Sequence, residues 1–265
     1  MHFNTFDRYV TKESLIHRLD PRVKVVVTIL FIISNVLLPD GAWLAFLLAW
    51  AFILWVNLLS GLEITYALKR SFIALPFALA AVTVIFTLPG ESLFTWSLGS
   101  WQITATDTGL IRFTSIVIRS WLSVQMAILL IATTQFPDLM HALRHLRFPH
   151  LLVAVISFTY RYLFVLADEV LRLLRARQAR SARLIGQHGG GSIIWRGKVA
   201  GHMAGQLFLR SYERSERVYN AMQARGYQGH FQTLNPHVMQ PGDWLMGAVA
   251  VIFLLILQGV GRIQL

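Results

Sequence analysis

Two arginines stand in near copies of one short motif. Ala179-Arg180-Ser181 and Ala224-Arg225-Gly226 each hold an arginine between small residues, near the end of a helical stretch. Small neighbours let a partner approach closely. The guanidinium then offers a planar fork that fits a carboxylate through two parallel bonds. Two such tips suit two equivalent acidic sites on a dimeric partner. The chemistry on offer is docking, not bond making.

Other reactive groups are sparse. His141 and His145 are four apart on one helical face, with His150 nearby, which is a spacing that can hold a transition metal. Arg144 and Arg147 surround the pair and no carboxylate completes it, so polar interfacial histidines account for it. Met1-His2 offers only a weak terminal chelate. Gly197-Lys198 is followed by Val199 and lacks the hydroxyl of a phosphate loop. The run Gly189-Gly190-Gly191 matches no nucleotide fingerprint and reads as a hinge. No H-E-x-x-H or G-x-S-x-G is present. The 13 carboxylates mostly lie beside basic residues, and there is no cysteine, which excludes thiol catalysis and thiolate metal sites. The chain reads as non-catalytic, with no cofactor or metal of its own and no nucleic-acid partner.

The elements that position these residues follow from composition. The chain has 265 residues, of which 55% are hydrophobic and 14% charged, against about 25% charged in a soluble domain. Mean hydropathy is +0.54. Met1 to Lys24 has charges and Pro21 but no early apolar core, so it is not a signal peptide. The expected fold is an all-α polytopic membrane protein, with about five transmembrane helices and a cytosolic coupling domain of long amphipathic helices. The expected spans are Val23–Leu38, Ala42–Leu59, Ser71–Leu88, Thr114–Thr134 and Trp244–Val260. Pro39-Asp40-Gly41 makes the first two an antiparallel hairpin. Three segments follow: a membrane domain over 1–134, a coupling domain over 135–241 and a final span over 242–265.

A sixth apolar run, Leu151–Ala167, is about 26 Å long as a helix and contains Arg161 near its middle. Charge decides against its crossing. Of 24 Lys and Arg, five lie in residues 1–24, two are Lys69 and Arg70, and fourteen lie between Gln135 and Pro241. Five spans put these 21 on one face, which the positive-inside rule makes cytoplasmic, with the C-terminus outside. Leu151–Ala167 then lies along the inner surface or under the bundle. Arg119, inside the fourth span, either snorkels to the outer interface or braces the bundle against a carbonyl or a partner helix, and bracing is the expected role. In the outer loop, Leu93–Leu98 and Trp101–Thr106 form a small hairpin.

The segment 135–241 is too long and organised for a plain loop. Pro137 and Pro149 bracket a short helix, Asp138–Phe148. A long helix follows to about Ile185, broken by Gly186 and Gly189–Gly191. Another runs from Ile193 to Ala224 and ends at Gly226. The first is amphipathic through Arg172, Arg175 and Arg183 against leucines, and a lipid-surface role would also explain it. On the second, Tyr212, Ser215, Tyr219 and Met222 share one face, Arg210, Arg214, Arg217 and Arg225 share another, and Glu213 with Arg217 makes an i,i+4 pair.

At these residues the chain resembles the T component of energy-coupling-factor (ECF) transporters, most closely the cobalt (CbiQ-type) branch. The resemblance covers most of the chain. It includes Asp7-Arg8-Tyr9, the run His17 to Lys24, Tyr160-Arg161-Tyr162, the run Leu209 to Arg217, and the two Ala-Arg-small motifs. It implies a membrane scaffold joining two ABC-type ATPase subunits to a small substrate-binding membrane subunit, with a small accessory membrane subunit in some systems. It implies that Ala179, Arg180, Ser181, Ala224, Arg225 and Gly226 dock on the ATPases, and that cobalt is held by the substrate subunit of a cell-membrane importer serving cobalamin biosynthesis. Nickel and vitamin systems use related scaffolds. Apart from the resemblance, a stand-alone channel or secondary transporter, a lipid-active membrane enzyme and a lipid-surface anchor remain open. The first needs polar side chains lining the spans, the second an acid or histidine cluster at the surface, and the third neither tip arginine.

Overall fold

Asp20-Pro21 starts a helix for two reasons. Proline has no N–H to leave unpaired at a first helical position, and the Asp20 carboxylate accepts from the Arg22 amide at 2.8 Å. The computed structural model describes residues 9–74, 76, 80–98, 101–180, 192–229 and 239–263, with backbone alone for 92–98 and 101–105. They pack as two units, residues 1–146 with 237–265, and residues 147–236.

In the first unit, one-turn α1 (Leu15–Arg18) precedes α2 (Pro21–Val36), α3 (Trp43–Ser60) and α4 (Ile64–Ser71). Single 3-10 turns at Phe72–Ala74 and Ala81–Thr83 lead to α5 (Val84–Thr87). The expected span Ser71–Leu88 is therefore not one regular helix over its described residues. Next come β1 (Ser92–Leu98) and β2 (Trp101–Thr106), antiparallel with Leu98 opposite Trp101, which is the expected outer-loop hairpin. The unit is completed by α6 (Asp107–Thr133), α7 (Phe136–His145) and α10 (Pro241–Ile263). The second unit holds α8 (His150–Arg180) and α9 (Ile193–Ala224).

Among the described residues four helices are long and apolar enough to cross a membrane: α3, α6, α8 and α10. At 16 residues, α2 is about 24 Å long, short of a hydrocarbon core of about 30 Å. The run Leu151–Ala167, expected to lie at the membrane surface, is part of the 31-residue α8 and has the length and composition of a span. The chain is a polytopic α-helical membrane protein, with the β-hairpin as its one sheet among the described residues.

The hairpin of α2 and α3 is splayed. Both pack against α6 and both against α10, and they meet each other through the stacked rings of Phe31 and Phe52, 5.7 Å apart. The inner face of α3 is Ala45, Phe46, Ala49, Phe52 and Ile53, at helical spacing. Leu44, Leu47 and Leu58 face outward and are exposed, as a lipid-facing surface requires. A Cβ on Gly261 would stand 2.7 Å from Leu38 Cδ2, so a larger residue there would have to displace the Leu38 side chain where α10 passes the α2–α3 turn.

Polar ties hold this unit at both ends. Arg119 donates to Leu38 O at 2.5 Å and to Asp40 Oδ1 at 2.8 Å, so it braces α6 against the α2–α3 turn. Asp243 accepts from the amides of Asp20 (3.0 Å) and Gln240 (2.8 Å). Lys24, 9% exposed, donates to the carbonyls of His17 and Thr133, each at 3.1 Å. The interior is more polar than its apolar sequence suggests, since Asn35, Asn57 and Gln125 are all buried.

Candidate partner-docking helices

Ser192 caps α9 by accepting from the Trp195 amide at 3.3 Å. The helix then runs 32 residues to Ala224 without burying one of them. Phe208, Leu209, Tyr212 and Tyr219 are all more than half exposed. In α8 only Val153 and Ala154 are buried. Two helices of about 46–48 Å thus present apolar and aromatic surface far beyond what an isolated chain tolerates in water. Such surface marks contact with lipid or protein.

Two cations of these helices are held by one acid. Glu169 on α8 accepts from Arg210 Nη1 at 2.7 Å, and Arg214 Nη2 stands 3.8 Å from its other oxygen. Arg210 and Arg214 are one turn apart, so one carboxylate spans both and ties α9 to α8. The two guanidinium groups hold the Glu169 side chain as the acceptor of the unit. Arg180 and Arg225 are both exposed, and neither guanidinium makes a hydrogen bond or ion pair among the described residues. The expected pair of Glu213 and Arg217 does not form. Both side chains are exposed, and a solvated i,i+4 pair contributes only a few tenths of a kcal/mol. One turn along, the Tyr212 hydroxyl instead donates to Glu216, whose charge raises the phenol above its ordinary pKa.

The end of α9 explains the order of residues in its motif. Arg225 is the C-cap, with its amide donating to Ala221 O (3.2 Å) and Met222 O (3.1 Å). Gly226 has φ +79°, its amide donates to Gln223 O at 2.9 Å, and the Tyr227 amide reaches back to Met222 O at 3.0 Å. This is a Schellman turn, in which the residue after the cap must be left-handed and glycine adopts that backbone with least strain. A Cβ there would meet nothing within 4 Å, so backbone conformation, not space within this chain, requires the glycine. The turn holds the Arg225 Cα at a firm helix end, where the terminal carbonyls favour a cation.

Of the six motif residues, Ala179 and Arg180 form the end of described α8, and Ala224, Arg225 and Gly226 form the end of α9, all of them exposed. Ser181, the hinge Gly186–Gly191, Met1-His2 and Asp7-Arg8 lie outside the described residues. His141 and His145 pack edge to face, 4.7 Å between centroids, and burial followed by Arg22 and Arg144 lowers the His145 pKa. Among the described residues no three His, Asp or Glu come together as a metal site. Glu169 escaped the sequence reading; the only signal for it was an acid one turn from Arg172 facing an Arg210/Arg214 pair on a second helix.

Long exposed helices with an arginine at each described end, in a chain that also holds a helical membrane unit, are surfaces suited to holding a partner. Residues 12–238 match the cobalt transport protein family CbiQ. Over 240 residues the chain is 31% identical to the energy-coupling factor transporter transmembrane protein of Lactococcus lactis, covering 84% of each. It is 29% identical over 263 residues to the protein of that name in Brevibacillus brevis, covering 94% of this chain and 95% of the relative. An uncharacterized protein of Methanocaldococcus jannaschii is 27% identical over 258 residues, covering 95% and 85%. The chain belongs to the CbiQ family, the transmembrane T components of energy-coupling-factor transporters.

Proposed function

We propose that this chain is the non-catalytic transmembrane scaffold of an ATP-driven cobalt importer of the inner membrane. Two ABC-type ATPase subunits hydrolyse ATP, and a separate small membrane subunit binds the ion. The observation that carries the reading is position: Arg180 and Arg225 are exposed at the ends of their described helices, and a Schellman turn fixes the end that carries Arg225. In this reading each tip arginine pairs with a carboxylate on one ATPase. ATP binding closes the ATPases, the tips move with them, and α8 and α9 act as levers on the substrate subunit. Their exposed apolar sides lie against that subunit. A conformational change of this kind needs differential docking in two states, and the tips supply the contact that differs.

The proposed sidedness rests on charge. In this reading the short α2 and the irregular segment 71–88 cross together with α3, α6 and α10, and α8, although long and apolar enough to span, lies on the inner side, because this arrangement puts 21 of 24 basic residues on one face. That face is cytoplasmic and holds the N-terminus and the helix pair, with the C-terminus outside. Cobalt is the family's described substrate. Between residues 23 and 88 the only acids are Asp40 and Glu63, and there is no histidine, so a metal ion finds its ligands in a partner. A nickel importer with the same scaffold role is the second reading, because a scaffold that does not hold the ion does not distinguish the two.

The test is purification of the tagged chain from its native membrane in mild detergent, alongside Arg180→Glu with Arg225→Glu. Wild type brings an ATPase and a small membrane subunit, and the variant loses the ATPase alone. Metal content of the second partner separates cobalt from nickel. Unchanged ATPase capture and uptake in the double variant overturns the docking assignment.

A further inference from the structure

Like charge opposes any contact between α8 and α9. The first carries five arginines and two acids, and the second carries four arginines, a lysine and two acids. The two helices touch over a short stretch. There the Glu169 carboxylate lies 2.7 Å from Arg210 and 3.8 Å from Arg214, and its own neighbour Arg172 also acts on it electrostatically. Without that carboxylate the contact would bring Arg210 and Arg214 toward Arg172 with no opposite charge between them. The Glu169 side chain is 15% exposed, against 53% for Arg210 and 35% for Arg214. Leu166 and Leu173, one turn to either side of it on the same face, are half-buried. The contact also divides the helix ends evenly. Arg180 lies 11 positions beyond Glu169, and Arg225 lies 11 positions beyond Arg214, so each arm is about 16 Å long.

We propose that Glu169 is a positioning residue for transport, holding α8 and α9 at one pivot from which the two tip arginines stand on equal arms. The inference rests on the scaffold reading above, in which both tips dock on ATPases. Two unlinked rods take up a push at their ends by sliding over each other. Joined at one point, they turn about that point, and equal arms give both tips the same travel. The carboxylate suits a pivot because its two partners are one turn apart on α9. As the helices turn it can shift its share from the near Arg210 to the farther Arg214 and stay paired. The pair stands a few turns from either tip, so docking and coupling separate. Without the charge the tips still dock and ATP is still hydrolysed, but less of the motion reaches the substrate subunit.

The complex captured by the tagged full chain is reconstituted in proteoliposomes, and uptake of Co²⁺ or Ni²⁺ is measured together with ATP hydrolysis. Glu169→Gln keeps the shape and removes the charge. It should capture as much ATPase and substrate subunit as wild type and hydrolyse ATP, yet move about fivefold fewer ions per ATP, the scale of a partly solvated ion pair. Glu169→Arg should fall further, because it sets a third cation against Arg210 and Arg214. Adding Arg210→Glu to Glu169→Arg should recover ions per ATP toward wild type, which a loss of fold at position 169 would not allow. Unchanged ions per ATP in Glu169→Gln and Glu169→Arg overturns the pivot and leaves the scaffold reading standing. Loss of ATPase from Glu169→Gln overturns it as well, since the residue would then act in docking. A charge exchange that recovers nothing overturns the ion pair as the cause. A wild-type chain that captures no ATPase overturns the scaffold reading itself, and the pivot with it.

Discussion

The backbone amide of Asp20 donates to Oδ1 of Asp243 at 3.0 Å, joining positions 223 apart in sequence. The same carboxylate accepts from the Gln240 amide through Oδ2, so one side chain caps the start of α10 and ties it to the cap of α2. Asp243 is 7% exposed and Asp20 3%, so water does not replace the lost acceptor. Asp243→Ala should destabilise the membrane unit by about 2–3 kcal/mol, the scale of a charge-assisted bond with a buried donor left behind. Asp243→Asn keeps one acceptor oxygen and should fall between. Thermal unfolding in detergent reads the order, and amide exchange at Asp20 and Gln240 reads the site. Equal melting of Asp243→Ala and wild type would show that the tie contributes nothing.

Acid should loosen the segment before α2. His17 Nε2 is 3.0 Å from Val10 O, and Nδ1 is 2.7 Å from Ser14 Oγ. The neutral ring satisfies both, with Nε2–H donating to the carbonyl and the Ser14 hydroxyl donating to Nδ1. Burial, partly offset by the Val10 carbonyl and reinforced by Lys24 and Lys12, holds the pKa below its ordinary value, which is about 6.5. The unfolded segment therefore takes up a proton first. The stability contribution is full above about 6.5 and is lost as pH falls toward the folded value. Amide exchange over residues 10–18, corrected for intrinsic rates, should lose protection as pH falls from neutrality through about 6.5. His17→Gln should flatten that dependence; a wild-type profile that is already flat rules the histidine out.

Much of this was legible before the fold was known, and the rest depended on contacts. The bounds of α9 follow from Ser192 and Gly226, because caps act through neighbours in sequence. The hairpin of β1 and β2 was readable from its alternating runs around a two-residue turn. Arg119 inside an apolar run had to find an acceptor, and Leu38 O with Asp40 supplies it. Glu169 and Asp243 were not readable, since each gains its role from a residue at least 41 positions away or on another element. The apolar run 71–88 predicted a span from hydropathy, which does not register the turns at Phe72–Ala74 and Ala81–Thr83. Hydropathy also passes over Asn57 and Gln125, which are single polar residues in apolar surroundings and are buried.

Arg119 and Asp40 should couple. The Arg119 side chain is 17% exposed and that of Asp40 36%, and Arg112 also approaches Asp40 at 3.8 Å. Arg119→Met removes the donor to Leu38 O as well as the ion pair, so it should cost about 1–3 kcal/mol. Asp40→Asn leaves the carbonyl bond in place and should cost less than half of that. A double-mutant cycle by denaturation isolates the pair itself. Its coupling should be at most about 1 kcal/mol, because Asp40 is partly solvated. Larger coupling would mean that Asp40, and not the Leu38 carbonyl, is the main anchor of Arg119.

Two glycines of α9 should respond in opposite ways to the same substitution. Gly226 has φ +79° at the Schellman turn, a backbone that costs an L residue about 1–2 kcal/mol. Gly197 lies within the helix, and a Cβ added there would meet nothing within 4 Å, so alanine should add about 0.5–1 kcal/mol of helix stability. Gly226→Ala should therefore fray the last turn, seen as faster amide exchange over residues 221–227, and loosen the helix end that carries Arg225. If that arginine docks as proposed, the same variant should capture less ATPase from the membrane while Gly197→Ala captures as much as wild type. Fraying with full capture would separate the two claims: the turn would stand as read, and the rigid presentation of Arg225 would be shown to be unnecessary for docking.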